Sequence, residues 1–348
     1  MNEKKVLIIL GEAPFVKGGA TSNPSVSWLK EYFNGYKMSL IMRGAGDSEQ
    51  ENQKIISLPE SKNTLSMIKG LLFSNSHRED FGRVQKVIRQ EKNQSSLIWL
   101  RAPSLIPLLL STCWKKKYAE KMYIHICANR LTWAFLKRNF TVANLFKFLN
   151  GKLTTLILKK AERSGAKFFH TGNQVQEAFN IKDSTYLIDY LPKHYPYNKQ
   201  REGFVFLGRT SKIQGNAELS RFVKCIPGEL NLYGPGESNA IPNGISYQGI
   251  VAPELVAKEI SQYAVLVCIT HEYYEGFPRV LAEAISQDMW VVVNRSCTFF
   301  ADIKYYPYLI ISEDIANVHQ LESLLQKRPM QSNNDFKQNI EDKSLING

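Results

Sequence analysis

Val265-Leu266-Val267-Cys268-Ile269, followed a few residues later by Glu275-Gly276-Phe277-Pro278-Arg279-Val280-Leu281-Ala282-Glu283-Ala284, reads as a buried strand, a loop and the start of a helix. A short apolar run rich in β-branched residues is the pattern of a strand covered on both faces. The same unit recurs in both directions. Downstream, Trp290 to Val293 is a further strand, and upstream lie Phe204 to Leu207, Leu230 to Tyr233 and Ile245 to Tyr247. In the first half the strands are Val6 to Leu10, Met38 to Met42, Leu97 to Leu100, Met122 to Ile126 and Phe168 to Thr171, with helices such as Ser25 to Phe33 and Arg83 to Glu91 between them. Strands alternating with helix-length segments predict parallel sheets covered by helices, joined by right-handed crossovers, with ligands beyond the carboxyl ends of the strands.

At 348 residues the chain suits two domains, at about 150 residues each. A polar stretch with two prolines, Pro192-Lys193-His194-Tyr195-Pro196-Tyr197-Asn198-Lys199-Gln200-Arg201, interrupts the alternation and is the expected linker. The predicted domains are 1–192 and 193–330, two Rossmann-like halves facing across a cleft, with 331–348 a closing helix or a tail. Hydrophobic residues at 44% and charged residues at 22% exclude a disordered or fibrous class. No secretory leader is expected ahead of the strand at Val6, and no apolar run approaches the roughly 18 to 20 residues of a spanning helix. The five cysteines, Cys113, Cys127, Cys225, Cys268 and Cys297, lack metal or disulfide spacing and read as buried thiols of a reducing cytoplasm.

The loops after the strands carry the candidate chemistry. A turn that follows a strand and opens a helix presents backbone N–H groups that bind anions. Glu275 falls in such a loop, and Glu283 about two turns further along, so the two acids serve different roles; an ordinary acidic helix start is the plain alternative. Strand Phe204 to Leu207 runs into Gly208-Arg209-Thr210-Ser211-Lys212-Ile213-Gln214-Gly215. There Arg209 can fork onto a phosphate and Lys212 can add a point charge, unless this is simply a solvated loop. Strand Leu230 to Tyr233 leads into Gly234-Pro235-Gly236-Glu237, and Ile245 to Tyr247 into Gln248-Gly249-Ile250-Val251.

In this order and spacing, Phe204 to Val293 resembles the nucleotide-sugar-binding domain of family-four glycosyltransferases, retaining enzymes of the GT-B fold. The resemblance implies that Glu275 lies by the transferred sugar, that Glu283 holds the ribose hydroxyls, and that backbone around Gly276, Phe277, Pro278 and Arg279 meets the donor, with Gly234 and Gly236 in a neighbouring turn. Pro278 has no N–H to give, which removes one amide contact. The family commonly places a lysine one residue before the glycine read here as Gly215. Gln214 stands there instead, so the phosphate clamp rests chiefly on Arg209. No Asp-x-Asp metal motif follows a strand; the family type needs no metal, and no cofactor beyond the donor substrate is implied.

The first half is compatible. Gly11-Glu12-Ala13-Pro14-Phe15-Val16-Lys17-Gly18-Gly19-Ala20-Thr21 resembles the family's glycine-rich loop, in which Gly18 and Gly19 would let backbone approach the diphosphate and acceptor. His125 lies about two residues ahead of the position of a functional histidine in many relatives, and is either a sugar ligand or a structural histidine inside its strand. Asn129 and Arg130 at that strand's exit are alternative cleft groups.

Between Lys115 and Lys167, 13 Lys and Arg face two acids, 13 − 2 = +11, against a net charge of +12 for the whole chain. Here Trp133, Phe140, Phe146 and Leu149 interleave with Lys137, Arg138, Lys147 and Lys152. That mixture suits either an anionic membrane surface or two core-packed helices with solvated basic faces, and no nucleic-acid module is present. Together with the resemblance, this predicts a metal-independent glycosyltransferase that moves a sugar from a nucleoside-diphosphate donor to a glycan acceptor, expected to be lipid-linked, in bacterial surface-polysaccharide synthesis. It is expected in the cytoplasm, peripheral at the inner face of the membrane. A sugar-nucleotide epimerase and a non-catalytic sugar-nucleotide-binding relative are the alternatives.

Overall fold

The side chains of Val6 to Leu10 are fully buried. That pattern requires cover on both faces of the strand, which a parallel sheet with helices on each side supplies. In the computed structural model the described residues are 4–10, 24–43, 48–50, 52–58, 75–102, 116–127, 133–138, 140–188, 194–195, 201–208, 216–235, 241, 243–252, 255–269, 276–326, 335, 337–338 and 342. They divide into two compact units, Met1–Asp189 and Tyr190–Gly348.

The first unit runs β1 (Lys5–Leu10), α1 (Pro24–Tyr32), β2 (Lys37–Arg43), β3 (Ser48–Gln50), β4 (Gln53–Leu58), α2 (Asn75–Gln94), β5 (Leu97–Ala102), α3 (Lys116–Ala119), β6 (Met122–Ile126), α4 (Trp133–Arg138), α5 (Val142–Arg163), β7 (Lys167–His170), α6 (Asn173–Phe179) and β8 (Ser184–Tyr186). Its strand order is β3-β4-β2-β1-β5-β6-β7-β8, parallel except for the β3–β4 pair. The order reverses between β1 and β5, so the loop leaving β1, which contains Gly18 and Gly19, starts at the topological switch point where such sheets take ligands.

The second unit runs β9 (Phe204–Leu207), α7 (Ala217–Val223), β10 (Leu230–Tyr233), β11 (Ile245–Gly249), α8 (Val256–Ile260), β12 (Val265–Val267), α9 (Arg279–Ser286), β13 (Trp290–Val293), α10 (Phe300–Ile303), β14 (Leu309–Ile311) and α11 (Val318–Leu325). The order β11-β10-β9-β12-β13-β14 is parallel throughout. Here the reversal falls between β9 and β12, the strands whose exits lead toward Arg209 and Glu275. Each unit has its own apolar core, the first around Ile98, Ile124 and Phe179, the second around Phe206, Phe222 and Leu232.

The expected strands are all present, four with the expected ends and the others with ends shifted by one or two residues. Four more were not expected: β3, β4, β8 and β14. Of the tail beyond 331 only 335, 337, 338 and 342 are described, and there the Lys337 ammonium pairs with Asp288 at 2.6 Å. The expected linker falls at the start of the second unit. His194 donates through Nδ1 to the Ser286 carbonyl at 2.7 Å, Tyr195 N–H donates to the buried Gln287 Oε1 at 2.9 Å, and Arg201 donates to the Gln287 carbonyl. These bonds fasten that segment to the carboxyl end of α9.

Candidate active site

At the carboxyl edge of the second sheet the strand exits are bound to one another through backbone. Gly208 N–H donates to the Tyr233 carbonyl at 3.0 Å, and Gly234 N–H donates to the Gly249 carbonyl at 2.9 Å. The Tyr247 hydroxyl donates to the Gly234 carbonyl, also at 2.9 Å. Gly234 has φ +146°, and a Cβ there would stand 2.0 Å from the Gly208 carbonyl oxygen. Only glycine permits that approach. The turn at Gly234 therefore fixes where the Gly208–Gly215 loop departs.

On the other side of the switch point, β12 passes into the loop that contains Glu275. Ile269 beyond it is buried, and its carbonyl accepts from the Asn216 side-chain amide at 3.3 Å. Asn216 is itself buried and caps α7, its Oδ1 accepting from Leu219 N–H at 3.0 Å. A single side chain thus joins the end of the Gly208–Gly215 loop to the exit of β12. Sequence reasoning passed over it, although Asn directly before a helical segment is a capping signal.

Helix α9 begins at Arg279, because Pro278, at φ −69° and ψ 134°, occupies the cap position in extended conformation. Glu283 is therefore about one turn into the helix, rather than the two expected. Pro278 supplies no side-chain cap to the first turn, whose N–H groups point out of the helix. Gly276 and Phe277 are buried just before it. Glu283 is only 5% exposed, a costly placement for a carboxylate, which is rarely buried unless paired. Among the sequence-chosen residues, Glu275, Arg209, Lys212, Gly236, Gly18 and Gly19 lie outside the described residues, as do Gln214, Asn129 and Arg130.

In the first unit His125 is fully buried, its Nε2 2.7 Å from the Thr171 hydroxyl. That hydroxyl donates its one proton to the Leu187 carbonyl at 3.0 Å, so it accepts from His125 and the imidazole carries hydrogen on Nε2. The ring also packs 5.9 Å from Trp99, itself in contact with Trp28 and Phe33. Arg101, opposite His125 in the β5–β6 register, is almost as buried. It was not singled out in the sequence, where its signal is a cation closing an apolar strand. An open cavity of about 440 Å³, lined by residues including Lys30, Tyr36, Asn52 and Gln53, lies at the amino ends of β2 and β4, away from these exits.

No family model matches the sequence, and no curated protein matches it. Solved structures match over nearly the whole chain. TarM of S. aureus, solved in complex with Fondaparinux, alpha-GlcNAc-glycerol and UDP, is 11% identical, with 98% of this chain and 97% of that one covered and a TM-score of 0.66. WaaG, a glycosyltransferase involved in lipopolysaccharide biosynthesis, is 10% identical over 97% and 95% of the two chains, with a TM-score of 0.60. HepE of Anabaena, in complex with UDP, is 12% identical over 92% and 89%, with a TM-score of 0.56. At such identities the likeness establishes the fold: two Rossmann-like units of the GT-B type.

Proposed function

We propose that the protein is a retaining, metal-independent glycosyltransferase of family four. In this reading it moves a sugar from a nucleoside-diphosphate sugar to a glycan acceptor. The observation that carries it is the switch point of the second sheet, where Gly234 packs on Gly208 and Asn216 is tied to Ile269 at the exit of β12, so that the described residues on either side of the Arg209–Lys212 stretch are anchored near the strand that leads to Glu275 and the side-chain-uncapped start of α9. That is a layout for an anionic donor. The UDP present in the TarM and HepE structures supports the donor class.

During transfer the bond from the anomeric carbon to the diphosphate oxygen breaks, and the electron pair leaves with the nucleoside diphosphate. The acceptor hydroxyl oxygen forms the new glycosidic bond and passes its proton to the departing diphosphate oxygen. Arg209, Lys212 and the amides opening α9 would stabilise the departing diphosphate. Glu275 would steady the sugar as positive charge develops at its anomeric carbon, Glu283 would hold the ribose hydroxyls, and Gly18 and Gly19 would admit the diphosphate or acceptor. His125, buried against Thr171, would act as a positioning residue that ties the exits of β6 and β7 together.

The acceptor we favour is a lipid-linked glycan of bacterial surface-polysaccharide assembly, reached from the cytoplasmic face with the basic 115–167 segment toward the membrane. The involvement of WaaG in lipopolysaccharide biosynthesis supports that choice. A panel of nucleotide sugars, screened by thermal shift and then by acceptor-dependent release of nucleoside diphosphate, tests the reading. Conversion of the donor without acceptor would favour an epimerase; binding without turnover would favour a non-catalytic relative.

A further inference from the structure

The 22-residue helix α5 exposes the wrong face for a soluble helix. Gly151, Thr154, Leu158 and Ala161 point into the unit and are buried. Val142, Phe146, Leu149, Leu153 and Leu156, spaced 4, 3, 4 and 3 residues apart, are exposed, by between 44% at Leu153 and 67% at Leu156. At about 100° per residue they form one straight stripe, roughly 140° around the helix from its buried face. Trp133 and Phe140, just before the helix, are exposed as well.

Charge indicates what covers this stripe. By the same angular count Lys152, Lys159 and Arg163 line one margin and Lys160 continues the stripe toward the carboxyl end. The helix has a single acid, Glu162, on the far side, where its carboxylate accepts from Lys182 N–H at 2.9 Å. A second copy laid stripe to stripe would bring like charges together and offer no acidic partner. Nor does any described helix have the length and apolarity to cross a bilayer. An apolar stripe edged by cations, on a helix that does not span, fits the interface of an anionic lipid surface.

We infer that α5 lies in the plane of an anionic membrane, its leucine and phenylalanine stripe among the acyl chains and its Lys–Arg margin at the headgroups. This narrows the basic 115–167 segment to one helix. Other cations there serve the fold: Lys121 donates to the Lys92 and Ser95 carbonyls at 2.7 and 2.5 Å, and Lys167 lies over the Tyr123 ring. The inference rests on the lipid-linked acceptor reading for its purpose. Its test needs no donor, so either can fail alone.

The test is co-sedimentation of the full chain with vesicles of phosphatidylcholine alone and of phosphatidylcholine mixed with phosphatidylglycerol, at about 0.15 M salt, where charges are screened beyond about 8 Å. Binding is expected to the mixed vesicles only, and to weaken as salt rises. Combined Lys152→Gln, Lys159→Gln and Arg163→Gln should lower affinity on the order of 100-fold, at roughly fivefold per charge. Combined Leu149→Ser, Leu153→Ser and Leu156→Ser should abolish binding, with circular dichroism and the melting temperature unchanged, since these side chains face solvent. The inference is overturned if the wild-type chain ignores the mixed vesicles or if the serine variant binds them equally well. It is overturned too if the stripe mediates a dimer in lipid-free sedimentation.

Discussion

Gly234→Ala places a methyl group where there is no room for one. Its Cβ would stand 2.0 Å from the Gly208 oxygen and 2.7 Å from the Gly208 carbonyl carbon, well inside any real contact, at a φ of +146° that L residues avoid. The backbone strain alone is worth about 1–3 kcal/mol. Relieving the collision requires the Gly208 and Gly234 segments to part, which breaks the bonds of 3.0 and 2.9 Å to Tyr233 and Gly249 at about 1 kcal/mol each. Together these give about 3–5 kcal/mol, or on the order of 10 °C in the melting of a unit this size. Gly249→Ala is the internal control: at φ +93° it carries strain but meets no atom within 4 Å, so its loss should stop near 1 kcal/mol. Differential scanning fluorimetry of both variants, with and without UDP, reads the effect. Gly234→Ala should lose most of the UDP-induced shift, because the strand exit at Gly208, directly ahead of Arg209, is displaced. If it melts like wild type and keeps that shift, the reasoning about the paired turns is wrong.

Asn216→Ala removes the cap of α7 and the tie to the Ile269 carbonyl, and should cost about 1–2 kcal/mol in chemical denaturation while weakening UDP binding; a stable variant with unaltered UDP affinity would contradict the coupling. His125→Leu should cost about 1–3 kcal/mol through the lost bond to Thr171 and leave the dissociation constant for UDP unchanged; a loss of turnover without loss of stability would instead put the imidazole at the sugar. The Glu218 carboxyl is held below its ordinary value, first by its hydrogen bond from Arg221 and, against opposing burial, by a further bond from Ser312. Its contribution is therefore complete above an unfolded pKa of about 4.3 and disappears as pH falls through the lower folded value. Glu218→Gln should be less stable than wild type by up to about 1 kcal/mol at neutral pH, the pair being partly exposed, and the gap should close in acid; a gap that persists in strong acid would refute the assignment.

How far the sequence revealed these features depends on burial. Central strands such as β1 from Val6 to Leu10 and Phe204–Leu207 were legible because cover on both faces leaves them continuously apolar. Three of the missed strands are three-residue edge pieces, Ser48–Gln50, the polar Ser184-Thr185-Tyr186 and Leu309–Ile311, and the fourth, Gln53–Leu58, has only the short apolar run Ile55-Ile56 between polar residues. Helix α2 was read as Arg83 to Glu91 because its first turns, Asn75-Ser76-His77-Arg78, carry no apolar residue to mark them. At the site, Gly234 was legible as a turn glycine, but its reason, the closeness of Gly208 25 residues or so earlier in the chain, is a tertiary fact. The apolar residues of α5 suit a core helix as well as an interfacial one. Only the burial of Thr154 and Leu158 on the opposite side shows which face is left uncovered.

The central claim is transfer from a nucleoside-diphosphate sugar at a site that includes Glu275. The most direct measurement is acceptor-dependent release of nucleoside diphosphate by the wild-type chain and by Glu275→Ala, across a panel of donors with a lipid-linked glycan acceptor. The account predicts release with one donor by the wild-type chain, abolished in Glu275→Ala, which still folds and still binds UDP. Full activity in Glu275→Ala, or no acceptor-dependent release from any donor that binds, would contradict it.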